Sequence, residues 1–133
     1  MIDIKTLRVG SHVNLCGKRQ RVAAIDALNG AIGMCGYLTD ENGVKHPLGY
    51  KVEDIEPIPI TSDLLKELGF EEDKTDIAKR VGGYYIYFHQ INNLRWRVSL
   101  EEENCTNYGN CIVRYLHEAE AFLALHGVEL IKE

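Results

Sequence analysis

A chain of 133 residues, 45% hydrophobic and with a net charge of −5, is long enough for one domain or two very small ones and too apolar to stay disordered. Its apolar runs fall far short of the roughly 20 residues a membrane helix needs, and its acid excess, all of it after residue 60, is the opposite of a general duplex binder's basic surplus. The opening MIDIKTLRVG has neither an apolar h-region nor a small-residue cleavage site, so a cytoplasmic location is expected, and with it free thiols.

From Leu7 to Ile60 the chain reads as short strands separated by turns. Val13-Asn14-Leu15 is the first strand, Gly17-Lys18-Arg19 a turn, and Arg21 to Leu28 the second strand. Asn29-Gly30 carries the strongest hairpin signal, because a type I′ turn needs positive φ at both central positions. Ala31 to Leu38 then returns antiparallel. Asp40 to Gly43 makes a further turn, and Val44 to Val52 is a weak edge strand interrupted by Pro47 and Gly49. Ile55 to Ile60 is expected to close the sheet. Five short strands with turns this frequent predict a small SH3-like antiparallel β-barrel over residues 1–60.

Glu56 to Phe70 reads as a joint. Pro57 and Pro59 keep Ile58 and Ile60 extended, Thr61 or Ser62 can cap a helix carrying Leu64, Leu65 and Leu68, and Gly69 stops it. The polar stretch Glu71 to Asp76 reads as a connection and Ile77 to Arg80 as a short helical turn. Tyr84 to His89 and Leu94 to Leu100 alternate as a hairpin around Ile91-Asn92-Asn93. Leu94, Trp96, Val98 and Leu100 lie on one face of it, and Arg95, Arg97 and Ser99 on the other. Glu101-Glu102-Glu103 opens a solvated loop running to Asn110, and Ile112-Val113-Arg114 is either a third strand or the lead into the last helix. That helix is the clearest element: Tyr115, Leu116, Ala119, Phe122, Leu123 and His126 recur at helical spacing, and Gly127 ends it. It should pack on the Trp96 face beside the 62–68 helix. The expected class is therefore α+β, with the barrel followed by an α+β unit over 61–133 built of a helix, an antiparallel hairpin and a C-terminal helix.

Three segments in this order, LRVGSHV, EPIPITSDLLKELGF and VRYLHEAEAFLALHGVEL, resemble an uncharacterised family of small proteins encoded by phages, mobile elements and genomes of anaerobic gut bacteria. Its pattern opens L-R-[IV]-G-N-x-V, continues E-P-I-P-L-T before L-x-x-[FL]-G-F, and closes on a [VL]-H-x-L-Q-N helix leading to A-L-x-G-x-E-L. Leu64 stands where the family often has Trp, and Ala119-Glu120-Ala121 where it has L-Q-N. The family has no established activity. The resemblance implies an accessory protein of a phage or mobile element and assigns no catalytic residue.

Candidate sites are few. Tyr85, Tyr87 and His89 alternate on one strand, with Arg95 and Arg97 on the next. Aromatics and arginines interleaved on a sheet can stack bases and hold phosphates; the structural alternative is ordinary cross-strand Tyr–Arg pairing. Lys18, Arg19 and Arg21 cluster at the first hairpin, near Lys5 and Arg8, where they could touch RNA, DNA or an acidic peptide or simply solvate a hairpin tip. His117 beside Glu118 and near Glu120 has the ingredients of acid–base chemistry, but no nucleophile motif accompanies it and a structural histidine accounts for it. None of Cys16, Cys35, Cys105 and Cys111 forms a C-x-x-C pair, which argues against a zinc ribbon; Cys105 and Cys111 could face each other across a turn. Neither a phosphate loop nor a dinucleotide fingerprint occurs, and no cofactor or metal is implied. The sequence thus points to a non-enzymatic protein-interaction module with an unidentified protein partner, or alternatively to a nucleic-acid-binding accessory protein using the Tyr/Arg face; an enzyme is not expected.

Overall fold

A computed structural model describes residues 2–34, 38–39, 41–46, 49–102 and 107–131; at residues 38–39, 45–46, 73 and 107–108 it describes the backbone alone. The protein is mixed α+β, with largely antiparallel sheets and two α-helices, and the chain divides into two compact units, Met1–Ile58 and Pro59–Glu133.

In the first unit, β1 (His12–Leu15), β2 (Lys18–Asp26), β3 (Ala31–Met34), β6 (Tyr50–Lys51) and β7 (Ile55–Glu56) form one antiparallel sheet in the order β6-β3-β2-β1-β7. One of the protein's sheets is a curled half-barrel. The short strands β4 (Leu38–Thr39) and β5 (Lys45–His46) pair separately. The core of this unit holds Ile2, Leu7, Val13, Val22, Ile32, Met34 and Ile55. The long strand expected over Val44 to Val52 is split into β5 and β6, and the closing strand is cut to Ile55–Glu56 by Pro57, which cannot donate to a ladder.

Both turns around β2 differ from the sequence expectation. Leu15 pairs with Lys18, so the two-residue turn is Cys16–Gly17, with φ of 52° and 79°. Two successive positive φ values are the type I′ requirement. At Asn29-Gly30 the loop has four residues instead, because Asp26 pairs directly with Ala31. The Asp26 carboxylate accepts from the Asn29 backbone N–H at 3.2 Å and side-chain amide at 2.8 Å, and only Gly30 takes a positive φ, 67°. These bonds also hold the Asp26 carboxyl below its ordinary pKa.

The second unit opens where Ile60 N–H donates to Arg114 O at 3.1 Å and Pro59 bridges Tyr115. Helix α1 (Ser62–Glu67) is capped by Thr61, whose Oγ1 accepts from Leu64 N–H at 3.1 Å. It stops at Gly69 (φ 93°), where Gly69 N–H reaches Lys66 O and Phe70 N–H reaches Leu65 O. Those two bonds and the burial of Leu65 and Phe70 make a Schellman stop. Then come β8 (Glu71–Asp73), β9 (Asp76–Val81), β10 (Tyr84–Gln90), β11 (Trp96–Glu102) and β12 (Asn107–Val113), an antiparallel meander in the order β12-β11-β10-β9-β8. Helix α2 (Leu116–Ala124) repeats the stop: Gly127 (φ 74°) and Val128 bond back to Ala124 O and Leu123 O.

The expected hairpin is therefore the centre of a five-stranded sheet. Residues 71–76 are not a plain connection and Ile77 to Arg80 is not a helical turn: Ile77, Lys79 and Val81 alternate toward the inner face, and pairing with β10 outweighs the helix propensity of Ala-Lys-Arg. The solvated loop read through Asn110 is shorter, since Asn107 onward pairs with β11, which resolves Ile112–Val113 as a strand. Leu94 lies in the turn and is 56% exposed, so only Trp96, Val98 and Leu100 carry the inner face of β11. The inner face is buried with Ile86, Phe88, Leu116, Ala119 and Leu123, and Phe70 meets Phe88 edge-on at 5.3 Å. Lys79 reaches the end of α1, donating to Leu68 O at 2.8 Å.

Candidate interaction face

Inner-face burial fixes what lies outside, because side chains alternate along a strand. On β10 the outward residues are Tyr85, Tyr87 and His89; opposite them on β11 stand Glu101, Ser99 and Arg97. On β9, Arg80 stands opposite Tyr85 and Ala78 opposite Tyr87. Asp76 closes the remaining position, its Oδ1 at 2.7 Å from His89 Nδ1. Both partners are more than a third exposed. The Arg80 guanidinium sits 5.8 Å from the Tyr85 ring centroid, and the Tyr85 and Tyr87 rings lie 6.2 Å apart, tilted 31°. On β12, Asn110 and Ile112 continue the face opposite Ser99 and Arg97, and Ile112 is 51% exposed.

The surface is open and shallowly hollowed. One hollow of about 280 Å³ is lined by Asp76, Tyr87, Arg97, Ser99, Glu101 and Asn110. A second, of about 390 Å³, is bordered by Glu71, Ala78, Arg80, Tyr85 and Tyr87. Arg97 and Glu101 have no ion-pair partner among the described residues.

The structure brings Tyr85, Tyr87, His89 and Arg97 together and leaves Arg95 aside. Arg95 ends the turn that follows β10, where Asn92 Oδ1 accepts the backbone N–H groups of Leu94 and Arg95, each at 2.9 Å. The basic group on β2 also divides. Arg19 and Arg21 stand opposite Asn14 and His12, on the side away from buried Val22, and Asn14 in turn stands opposite Glu56. Lys18 lies on the Val22 side, at the exposed strand start. In the sequence Asp76 falls in a polar stretch that reads as a connection, Arg80 in one that reads as a helical turn, and Glu101 in a run of three glutamates that reads as solvated loop. The period-two pattern Asp76-x-Ala78-x-Arg80 was the signal that could have placed the first two.

The His117 neighbourhood is structural in its geometry. Glu118 Oε1 accepts from Arg114 N–H at 3.0 Å and Tyr115 N–H at 2.9 Å, which occupies its carboxylate at the start of α2. The His117 ring is buried and stacks on Tyr115 at 5.9 Å. Burial pushes its pKa below the ordinary histidine value, against an upward pull from Glu118 and Glu120. Cys111 is half-buried on β12, while Cys105, and with it the expected facing of the two, lies outside the described residues. Among the described residues no cluster of three or more His, Cys, Asp or Glu side chains is placed to hold a metal, and no helix is long and apolar enough to cross a membrane.

Fold and face together define a mixed α+β protein of two compact units that carries an open sheet surface of alternating charge around two tyrosines. Comparison with protein-family models, curated proteins and solved structures finds no match to the chain.

Proposed function

We propose that this protein is a non-enzymatic interaction module whose working surface is the outer face of the second sheet, and whose partner is a protein. The observation that carries this reading is the interleaving of carboxylates with arginines on that face: Asp76 and Glu101 alternate with Arg80 and Arg97 around Tyr85 and Tyr87. A polyanion crossing such a surface loses at the acids what it gains at the arginines, whereas a protein surface can match both signs. Aromatic side chains with arginine beside them are also the usual anchors of protein contacts. The five-stranded antiparallel sheet of the first unit supports an SH3-like module as the other half of the chain. The resemblance of LRVGSHV, EPIPITSDLLKELGF and VRYLHEAEAFLALHGVEL to small phage and mobile-element proteins supports an accessory role inside the bacterial cytoplasm.

A second reading, single-stranded nucleic acid, is favoured by one observation, the Tyr85–Tyr87 ring pair beside Arg97. One experiment separates the two. Fluorescence polarisation with single-stranded RNA, single-stranded DNA and duplex DNA at about 50 and 150 mM salt reads any phosphate-driven binding. The expected result is none, together with a protein partner that binds the purified wild type and not the Tyr87→Ala/Arg97→Ala variant. Salt-sensitive binding to single strands that disappears in that variant replaces the first reading with the second.

A further inference from the structure

Four charges on the outer side of β9 and β11 follow a rule, with Glu71 of β8 beside them opposite Ala78. Along one edge of the face the strands β9, β10 and β11 carry acid, ring, base: Asp76, His89, Arg97. Along the other they carry base, ring, acid: Arg80, Tyr85, Glu101. Between them lie the uncharged Ala78, Tyr87 and Ser99. Opposite corners have like sign and adjacent corners opposite sign, with Tyr87 at the centre.

Such a pattern is complementary to itself. A two-fold axis lying in the interface and running along the strands sets Asp76 against Arg97 of the other copy and Arg80 against Glu101. An axis running across the strands sets Arg97 against Glu101 and Asp76 against Arg80, and also brings Glu71, level with Ala78, near its own counterpart. Either rotation pairs every charged corner with its opposite and brings Tyr87 near its own counterpart. Both leave the two sheets' strands nearly aligned, as face-packed sheets prefer, and an isologous two-fold contact is the commonest symmetric interface. Most other partners would have to be matched to this arrangement; a second copy already is.

We propose that the protein forms a two-fold dimer through the outer face of β9, β10 and β11. This rests on the interaction-module reading and names its partner. With the flanking β8 and β12 included, strands of up to seven residues at ~3.4 Å per residue and five strands ~4.8 Å apart give a face of at most roughly 24 by 19 Å, or at most roughly 900 Å² for the pair of copies. That is the size of weak, transient complexes, below the ~1,200–2,000 Å² of standard stable ones. The dimer is therefore concentration-dependent, and because its pairs are exposed it weakens with salt.

Sedimentation equilibrium of the full chain between about 10 and 500 µM, at low and at ~150 mM salt, tests this. Wild type is expected to associate reversibly, less so in salt. Arg97→Glu and Glu101→Arg each raise the dissociation constant about tenfold or more, since every reversal recurs twice across the axis. Mixing two variants then identifies the axis. Arg97→Glu with Glu101→Arg regains association if the axis crosses the strands; Glu101→Arg with Arg80→Glu regains it if the axis follows them. Circular dichroism melts verify that each variant folds, and Arg97→Ala and Glu101→Gln take the place of any that does not. Three results overturn the proposal: a monomer at every concentration, a dimer indifferent to both reversals, or association that neither mixture restores. A monomer removes the dimer alone; the interaction-module reading stands or falls by whether Tyr87→Ala/Arg97→Ala abolishes binding to a different protein.

Discussion

Replacing Leu123 with alanine should cost the second unit far more than replacing Leu125, two residues further along. Leu123 is fully buried, while Leu125 is 83% exposed. Leu123 also anchors the end of α2: its carbonyl accepts Val128 N–H at 3.0 Å, and Val128 is buried beside it. Deleting a buried leucine side chain costs about 2–5 kcal/mol, the lost transfer energy plus the cavity left behind. A middle value of ~3 kcal/mol, at ~4–8 °C per kcal/mol for a domain of this size, lowers the melting temperature by about 12–24 °C. Leu125→Ala should stay within about 0.5 kcal/mol of wild type. Trp96 is the only tryptophan and 2% exposed, so its fluorescence reports unfolding of this unit. Thermal melts followed at Trp96 would show Leu123→Ala far below wild type and Leu125→Ala beside it. Equal shifts for the two variants would refute the inward placement of Leu123 and with it the packing of α2.

Two other consequences follow from particular residues. Cys16 holds φ of 52° in the first hairpin turn, a conformation asparagine tolerates better than other non-glycine residues; Cys16→Asn is expected to raise stability by about 0.5 kcal/mol, read as a higher urea midpoint, and a drop would contradict a type I′ turn there. His117 has a folded pKa depressed chiefly by burial, so the unfolded chain takes up a proton first as pH falls. Stability contributed by neutral His117 is present above about pH 6.5 and declines below it, by up to ~1.4 kcal/mol per pH unit until the folded group titrates too. His117→Gln should flatten urea midpoints measured between about pH 7 and 5; an unchanged slope would remove His117 as its source.

The helix boundaries were legible because each rests on local chemistry. Thr61 caps α1, and Gly69 and Gly127 supply the positive φ at which both helices stop. The inward positions Trp96, Val98 and Leu100 were equally plain, since period two on a half-buried strand reflects burial directly. What escaped was set by pairing at a distance. Ile77 to Arg80 looks like a helical turn in isolation and becomes part of a strand because Tyr84 to Phe88 pairs with Ile77 to Val81. The Asn29-Gly30 signal was overridden by one side chain, Asp26, whose carboxylate organises a longer loop. The I′ turn went unseen at Cys16-Gly17 because cysteine is not a residue that advertises positive φ.

The same miss changed the meaning of the candidate site. Read as a hairpin, the outer face offered Tyr85, Tyr87, His89, Arg95 and Arg97, a basic aromatic surface suited to single strands. Adding β9 and the end of β11, and removing Arg95 to the turn, brings in Asp76, Arg80 and Glu101. Of the charges at the four corners, two are now negative and two positive, and His89 is already engaged by Asp76. A phosphate chain crossing this surface would lose at Asp76 and Glu101 what it gains at Arg80 and Arg97. Its binding would then depend on stacking alone, and Tyr85 is already covered on one side by the Arg80 guanidinium. The two readings consequently diverge on one substitution. Glu101→Gln removes a repulsion that only a polyanion feels, and should strengthen single-strand binding if that is the function. It removes a matched charge from a protein or a second copy, and should weaken association if the face is the interaction surface proposed.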